Sequence, residues 1–267
     1  DDAAAKEVDG FGLAVTTASA YNLLKMSQED RTAILTELFS PTEGAGSGLI
    51  RVSIGASDFC LKDEYTWCDT KGLENFAKED KDYLFPVLKE IYAINPDVKI
   101  IGSPWSCPKW MKGGSYGYEK FDKKYLERDF PNWTSGRLKP SCYADYATYF
   151  VKWIQTMQSE GFKIHAITMQ TEPLNHGNSM SMYMPWQDQK EFIKVLGPAL
   201  KDAGLEKVKI LLFDHNYNYD NKDDQRNYPL NIYADALASK WAAGSAWERD
   251  ATRWAPSSGR SDRRTRS

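Results

Sequence analysis

Residues 164–173 read IHAITMQTEP, an apolar run that ends in the polar sequence QTEP. Such a run is shorter than a typical helix and stops at a turn signal, so it predicts a buried strand followed by a loop. Similar runs recur along the chain. The sequence predicts six strands, at residues 11–17, 48–54, 98–102, 164–170, 208–213 and 244–247.

Segments with helical periodicity lie between these strands. The clearest, at residues 143–157, carries apolar residues at i, i+3, i+4 and i+7 spacing. A second helix is predicted to begin at Ser27, with Asp30 three residues later. A third covers residues 192–200 and is predicted to stop before Gly204. Alternating strands and helices indicate a parallel sheet, because each parallel strand needs a crossover connection.

Two architectures fit this alternation, a doubly wound sheet and a (β/α)8 TIM barrel. No GxGxxG sequence follows the first strand, which argues against a dinucleotide-binding fold. The loops after the strands are long and rich in Trp, Tyr, Asp and Asn, as expected for a barrel whose chemistry lies on those loops. We predict an α/β protein with an incomplete TIM barrel of about six βα units over residues 1–247, because a closed barrel needs eight strands.

The last twenty residues have a different composition. Residues 248–267 contain six arginines, whereas the preceding 247 residues contain five. The segment has no periodicity and few apolar residues, which is typical of disorder. We predict a separate tail there and favour a frame-shifted or artificial terminus over a basic interaction arm.

Composition and charge narrow the range of partners. The chain has 34 basic and 37 acidic residues and a net charge of −3, so we expect no nucleic-acid partner. No apolar run approaches the roughly 20 residues that span a bilayer, so we expect no integral membrane segment. The start, DDAAAKEVDG, resembles a linker that follows a removed export signal and predicts a secreted or periplasmic protein.

The cysteines and histidines form no pattern typical of a metal site. The four cysteines include no CxxC pair, and the three histidines are scattered. We therefore expect neither a metal nor a cofactor. Cys60 and Cys68 are close enough in sequence to bridge across a turn, but free thiols are the preferred prediction.

Charged, amide and aromatic side chains lie in or just after the predicted strands. In a parallel barrel these groups project onto one face. An arginine, carboxylates, a tryptophan and amides converging there are typical of a sugar site, because hydroxyls need polar partners and a pyranose ring packs on an aromatic face. The candidate residues are Arg51, Asp58, Trp105, Thr171, Glu172, Asp214, His215 and Asn216.

Glu172 is the preferred catalytic candidate. It stands at a strand end, where an apolar surround suits a carboxyl group to general acid chemistry. Pro173 holds it out of the right-handed helical region. Arg51 lies inside an apolar strand, which predicts a buried carboxylate partner.

Structural roles for the same residues stay open. Glu172 could be an ordinary loop residue before a proline, and Trp105 could belong to the core. Asp58 could cap a turn. Asp214 and His215 could be solvated loop residues.

Five motifs in order give a more specific indication. Together they resemble glycoside hydrolase family 30, the glucosylceramidase family that also contains endo-β-1,6-glucanases, over roughly residues 10–247. The motifs are GFGLAVTTASA (10–20), LIRVSIGASDF (49–59), KIIGSPWSCPKWMK (99–112), ITMQTEP (167–173) and MYMPWQDQKEFIKVLGPAL (182–200).

The resemblance implies a TIM barrel with an attached β-sandwich and a retaining mechanism that uses two glutamates. It implies that Glu172 is the acid/base and that Arg51 supports the carboxylates of the site. It also implies that Asp58 and Trp105 hold the sugar. The FDHN stretch, residues 213–216, is more similar to the β-1,6-glucanase branch than to the glucosylceramide branch.

The chain also departs from the family pattern. Thr171 stands where the family usually has an asparagine that binds the sugar 2-hydroxyl. The family's nucleophile is expected beyond Ser267, together with the sandwich, so we expect no nucleophile in this chain and little or no activity from it alone. Two alternatives stay open: a sugar-binding remnant without catalysis, and an unrelated barrel enzyme that uses Asp214 and His215.

Overall fold

The computed structural model describes residues 8–61, 64–116, 122–216 and 227–248. In chain order its main elements are β1 (Gly12–Ala14), α1 (Thr17–Lys25), α2 (Gln28–Phe39), β2 (Leu49–Ser53), α3 (Leu84–Ile94), β3 (Lys99–Ser103), β4 (Lys112–Gly113), α4 (Lys123–Leu126), β5 (Arg137–Leu138), α5 (Tyr143–Ser159), β6 (Ile164–Thr168), α6 (Trp186–Asp202), β7 (Lys209–Asn216), α7 (Tyr228–Tyr233) and β8 (Ala242–Glu248).

Six strands form one parallel sheet in the order β1-β2-β3-β6-β7-β8. These are the six strands that the sequence predicts, and each crossover contains at least one helix. The parallel α/β architecture is therefore confirmed. Because all six strands run the same way, their carboxyl ends lie on one side of the sheet.

Strand β1 ends at Ala14, earlier than predicted, because helix α1 begins at Thr17. The Thr16 hydroxyl accepts a hydrogen bond from Ser19 N at 3.1 Å, and Ser19 Oγ accepts one from Thr16 N at 2.8 Å. This reciprocal cap satisfies two backbone donors and starts α1 at Thr17. Val15 N still donates to the Arg51 carbonyl at 2.9 Å, and the chain leaves the sheet at Thr16.

The three predicted helices are present. Ser27 caps α2 by accepting a hydrogen bond from Asp30 N at 3.1 Å, as its spacing predicts. Helix α5 covers the predicted stripe, and α6 begins earlier than predicted and stops two residues before Gly204, whose φ is +72°. Gly204 takes this left-handed conformation without steric cost.

The core lies between the sheet and its helices. On α5, Tyr146 stacks against Phe192 of α6 with ring centroids 5.3 Å apart. Trp153 approaches the sheet so closely that a Cβ at Gly102 would stand 2.5 Å from its ring. Gly102 therefore lets α5 pack against β3. Burying a side chain such as Phe192 stabilises the fold by about 1.5–3 kcal/mol.

One part of the fold gives no sequence signal. Strands β4 and β5 pair antiparallel within the β3–β6 connection. The sequence does not predict them, because strands of two residues carry no periodicity. Helix α4 lies between these two strands in the chain, and we call the β4–β5 pair the hairpin.

The predicted boundary of the barrel needs a small correction. Strand β8 extends to Glu248, whose backbone is in register with Asn216. The barrel segment thus reaches one residue past 247. The rest of the predicted tail, residues 249–267, lies outside the described residues.

A buried ion pair joins the hairpin to α6. Arg137 Nε donates to Asp188 Oδ2 at 2.7 Å, and Arg137 Nη2 donates to Asp188 Oδ1 at 2.6 Å. Both side chains are almost fully buried. The two-pronged geometry satisfies both charges away from water. This ion pair therefore fixes the position of β5 relative to α6.

We expect Arg137→Met to lower the free energy of unfolding by about 3–5 kcal/mol, because it leaves the Asp188 carboxylate buried and unpaired. The double variant Arg137→Met/Asp188→Leu should recover more than half of that loss, since no charge is then stranded. Urea unfolding of wild type, Arg137→Met, Asp188→Leu and the double variant measures the cycle.

The exposed Lys163–Asp97 pair offers a matched control, and Lys163→Met should change stability little. Equal losses in Arg137→Met and in the double variant would contradict the explanation by a stranded carboxylate.

Candidate active site

A cleft of about 220 Å³ opens at the carboxyl ends of the strands. Its walls come from β1 and β2 and from the loops that follow β1, β2, β3 and β6. Five of the eight residues predicted from sequence line it together: Arg51, Asp58, Trp105, Thr171 and Glu172.

An ion pair forms the floor of the cleft. Arg51 Nη2 donates to Asp214 Oδ2 at 3.0 Å and to Thr171 Oγ1 at 3.1 Å. Asp214 is buried, whereas the Arg51 side chain keeps 28% of its surface exposed. The buried carboxylate partner predicted for Arg51 is thus Asp214, and the partly exposed Arg51 side chain lines the cleft.

The same guanidinium also lies over an aromatic ring. Arg51 Cζ is 5.0 Å from the ring centroid of Trp105, a cation–π contact. Trp105 is half-buried and lines the cleft, so core packing alone does not describe it. The contact fixes the ring beside the charged floor.

Asp214 joins three strands through its side chain and its backbone. Its Oδ2 also accepts a hydrogen bond from Thr168 Oγ1 at 2.7 Å. Its carbonyl oxygen accepts one from Glu172 N at 2.8 Å. The alternative that Asp214 is a solvated loop residue is wrong, because the residue is only 3% exposed and carries these contacts.

The Glu172 carboxylate has a specific orientation. Asn175 Nδ2 donates to Glu172 Oε2 at 2.6 Å, and Asn175 N donates to the Glu172 carbonyl at 2.9 Å. Glu172 has φ +44°, so it lies outside the right-handed helical region, as Pro173 predicts. A half-buried carboxylate held in this way at the cleft wall can exchange a proton with a bound ligand.

Two smaller predictions are also resolved. Asp58 lies exposed in the cleft, and the turn beside it is capped by Ser57, whose Oγ accepts from Phe59 N at 3.1 Å. Asp58 is therefore not the cap of that turn. The Thr171 hydroxyl is buried and occupied by Arg51, so it supports the floor of the cleft.

The structure does not bring His215 and Asn216 to the cleft lining. His215 is fully buried, its ring stacks on Phe213 at 5.6 Å, and its Nδ1 accepts a hydrogen bond from Asn216 N at 2.7 Å. The alternative of a solvated His215 is therefore wrong. Binding of sugar by His215 and Asn216 stays a prediction, and the packing favours a structural role for His215.

Burial also decides the charge of this histidine. It lowers the pKa of His215 to about 3, because the imidazolium form loses its hydration. His215 is therefore neutral near pH 7.

The sequence prediction missed Asn175 and Asn178. Asn178 lines the cleft, and Asn175 contacts the Glu172 carboxylate. Both lie within six residues of Glu172, in a loop rich in Asn and Gly. Amides at such positions are a turn signal, but the sequence does not show which amide turns toward the carboxylate.

The part of the chain that the structure describes contains no group of three or more His, Cys, Asp or Glu residues able to hold a metal ion. The four cysteines are free thiols, as preferred from their spacing. Among the described helices, none is both long and apolar enough to cross a bilayer.

Residues 8–249 match the family model described as the glycosyl hydrolase family 30 TIM-barrel domain. This chain belongs to that family. Membership confirms the resemblance carried by the five motifs and confirms the TIM-barrel architecture. It contradicts the alternative of an unrelated barrel enzyme built on Asp214 and His215.

Several characterised proteins are similar to this family 30 chain. The endo-1,6-beta-D-glucanase of Neurospora crassa is 35% identical over 86% of this chain and 45% of the relative. Mouse lysosomal acid glucosylceramidase is 29% identical over 90% of this chain and 45% of the relative. The solved structure of the endo-beta1,6-glucanase BT3312 is 54% identical, with a TM-score of 0.85, over 91% of this chain and 52% of that chain. The chain thus spans about half the length of these relatives.

We expect the stability of the family 30 chain to fall in acid partly because of His215. Its folded-state pKa of about 3 lies below the unfolded value of about 6.5, so the unfolded state takes up the proton first. This contribution is fully present above about pH 6.5 and is lost as the pH falls toward 3. Relative to His215→Asn, the wild type should lose about 1.4 kcal/mol per pH unit between about pH 5.5 and 4.

Urea unfolding across this pH range measures the difference, and other titrating groups cancel between the two proteins. His165→Asn is the control, because that half-buried ring keeps contact with solvent and should matter less. Parallel stability profiles for wild type and His215→Asn would contradict a neutral buried imidazole.

Proposed function

We propose that the protein containing this chain is a retaining β-glycoside hydrolase that cleaves β-glucosidic bonds, with a β-1,6-glucan as substrate. The observation that carries the proposal is that Glu172, the Trp105 ring and the Arg51 guanidinium line the same cleft. Membership of glycosyl hydrolase family 30 supports the hydrolysis of a glycosidic bond. The similarity to the endo-beta1,6-glucanase BT3312, at 54% identity, supports the β-1,6 linkage.

In this proposal Glu172 first acts as a general acid and protonates the leaving glycosidic oxygen. It then acts as a general base and activates the water that opens the glycosyl-enzyme ester. Asn175 keeps the carboxylate oriented between the two steps through its bond to Oε2. A retaining double displacement also needs a second carboxylate as nucleophile.

Arg51 and Trp105 supply binding and orientation. The permanently charged guanidinium, held by Asp214, offers donors to sugar hydroxyls or to a carboxylate in the cleft. The Trp105 ring offers a flat apolar surface for a pyranose face. Asp58, exposed in the same cleft, can accept hydrogen bonds from hydroxyls.

A glucosylceramide-like glucoside is the second candidate substrate. It is favoured by the similarity to glucosylceramidases such as the mouse enzyme, at lower identity than the glucanases show. A carbohydrate or glycoconjugate is the proposed partner in either case. We also propose a secreted or periplasmic location, since a polymeric glucan cannot cross a membrane to reach an enzyme inside the cell.

Calorimetry on the 267-residue chain tests the binding part of the proposal. We expect β-1,6-linked gluco-oligosaccharides to bind, and β-1,4-linked xylo-oligosaccharides to bind more weakly. Trp105→Ala and Arg51→Met should each weaken binding about tenfold, or 1.4 kcal/mol, through loss of the stacking face or of the donors.

Trp186→Ala is the matched control, because this half-buried tryptophan belongs to α6 and does not line the cleft. If no gluco-oligosaccharide binds the folded chain, the proposed function fails.

Turnover on aryl β-glucosides and on a β-1,6-glucan separates catalysis from binding. We expect turnover by the 267-residue chain to be lost in its Glu172→Gln variant, because the amide cannot protonate the leaving glycosidic oxygen. Clear turnover that disappears in Glu172→Gln would support hydrolysis by Glu172. Turnover that is unchanged in Glu172→Gln would contradict the proposed role of Glu172.

A further inference from the structure

The ring of Trp105 and the carboxylate of Glu172 stand on two different loops. These loops follow β3 and β6, whose last pair in backbone register is Gly102 with Ile167. Past that point the sheet no longer holds the two segments together. Their spacing therefore depends on contacts that lie beyond the ladder.

Three further contacts continue the connection toward the cleft. Ser103 Oγ lies 2.9 Å from Thr168 Oγ1, and Thr171 N donates to the Pro104 carbonyl at 2.8 Å. The third contact comes from the side chain of Gln170, which is fully buried. It reaches the backbone of Trp105 itself and that of Thr171, the residue before Glu172.

The Gln170 carboxamide bridges the loops from a single atom. Its Nε2 donates to the Trp105 carbonyl at 2.8 Å and to the Thr171 carbonyl at 2.8 Å. The –NH2 end of the Gln170 amide faces both carbonyl oxygens, and its two hydrogens allow one full hydrogen bond to each of them. Glutamate lacks these donors, and methionine has the length without the polarity.

We propose that Gln170 is a positioning residue that sets the spacing between the Trp105 ring and the Glu172 carboxylate. Its two bonds hold the backbone of Trp105 itself and the backbone of Thr171, the residue directly before Glu172. The spacing that Gln170 maintains is the width of the sugar subsite. The ligand in this statement rests on the proposed function, whereas the spacing itself does not.

Fluorine NMR of fluorotryptophan-labelled chain tests the spacing without any ligand. The Trp105 signal is assigned by its disappearance in Trp105→Phe, and those of the core residues Trp67 and Trp153 in the same way. In Gln170→Glu at neutral pH the carboxylate faces two carbonyl oxygens, so the Trp105 signal should shift and broaden. The signals of Trp67 and Trp153 should stay in place.

Calorimetry with a β-1,6-linked gluco-oligosaccharide gives the functional readout. Gln170→Glu should bind about tenfold more weakly than wild type. Gln158→Glu is the matched control, because it makes the same chemical change at an exposed position of α5 and should leave both readouts unchanged. If Gln170→Glu does not fold, Gln170→Met carries the same test with an uncharged side chain of similar length.

Two results would overturn the proposal. One is a folded Gln170 variant with the wild-type Trp105 signal and wild-type affinity. The other is a shift of the Trp67 and Trp153 signals as large as that of Trp105, which would give Gln170 a general packing role. If wild type binds no gluco-oligosaccharide, the proposed function fails, and the NMR comparison still decides the role of Gln170.

Discussion

The ion pair between Arg51 and Asp214 is the interaction on which the rest of the cleft depends. Asp214 neutralises the guanidinium from below, while its own carbonyl oxygen receives the backbone N–H of Glu172. One residue of β7 thus locates the cation on β2 and the carboxylate after β6. The cation in turn lies over Trp105 and donates to Thr171. Removing Asp214 would strand a partly buried charge and free three segments at once, so its effect exceeds that of a single hydrogen bond.

Three residues near the cleft have left-handed backbone conformations, and contacts with their neighbours offset the free-energy cost. Glu172, Phe213 and Asp214 have φ values of +44°, +72° and +67°, which L-residues seldom adopt. Conformations of this kind cost about 1–3 kcal/mol each and persist where neighbouring contacts determine them. The hydrogen bonds of Asp214 and the burial of Phe213 supply such contacts. The backbone around the cleft therefore holds its side chains in place without any bound ligand.

Local sequence patterns were sufficient for the main elements of the fold and failed at their edges. The six strands, the capped start of α2 and the stripe of α5 agree with the structure, because periodicity and caps are read over a few neighbouring residues. The end of β1 was misplaced, since the Thr16–Ser19 cap competes with the strand. The β4–β5 hairpin was missed, and so was the buried Arg137–Asp188 pair that fixes it to α6.

The sequence by itself determined that parallel strands would bring Arg51, Asp58, Trp105, Thr171 and Glu172 to one side of a sheet, and the ordered motifs determined the family. Only the tertiary structure decided which polar groups reach the cleft. It paired Arg51 with a carboxylate 163 residues away, turned His215 into the interior beside the buried Asp214, and directed the amides of Gln170 and Asn175 toward the turn that contains Glu172. The physical reason is that a strand pattern reports which face of a sheet is buried. The partner of a polar group depends instead on contacts between segments far apart in the chain, and these leave no local periodicity.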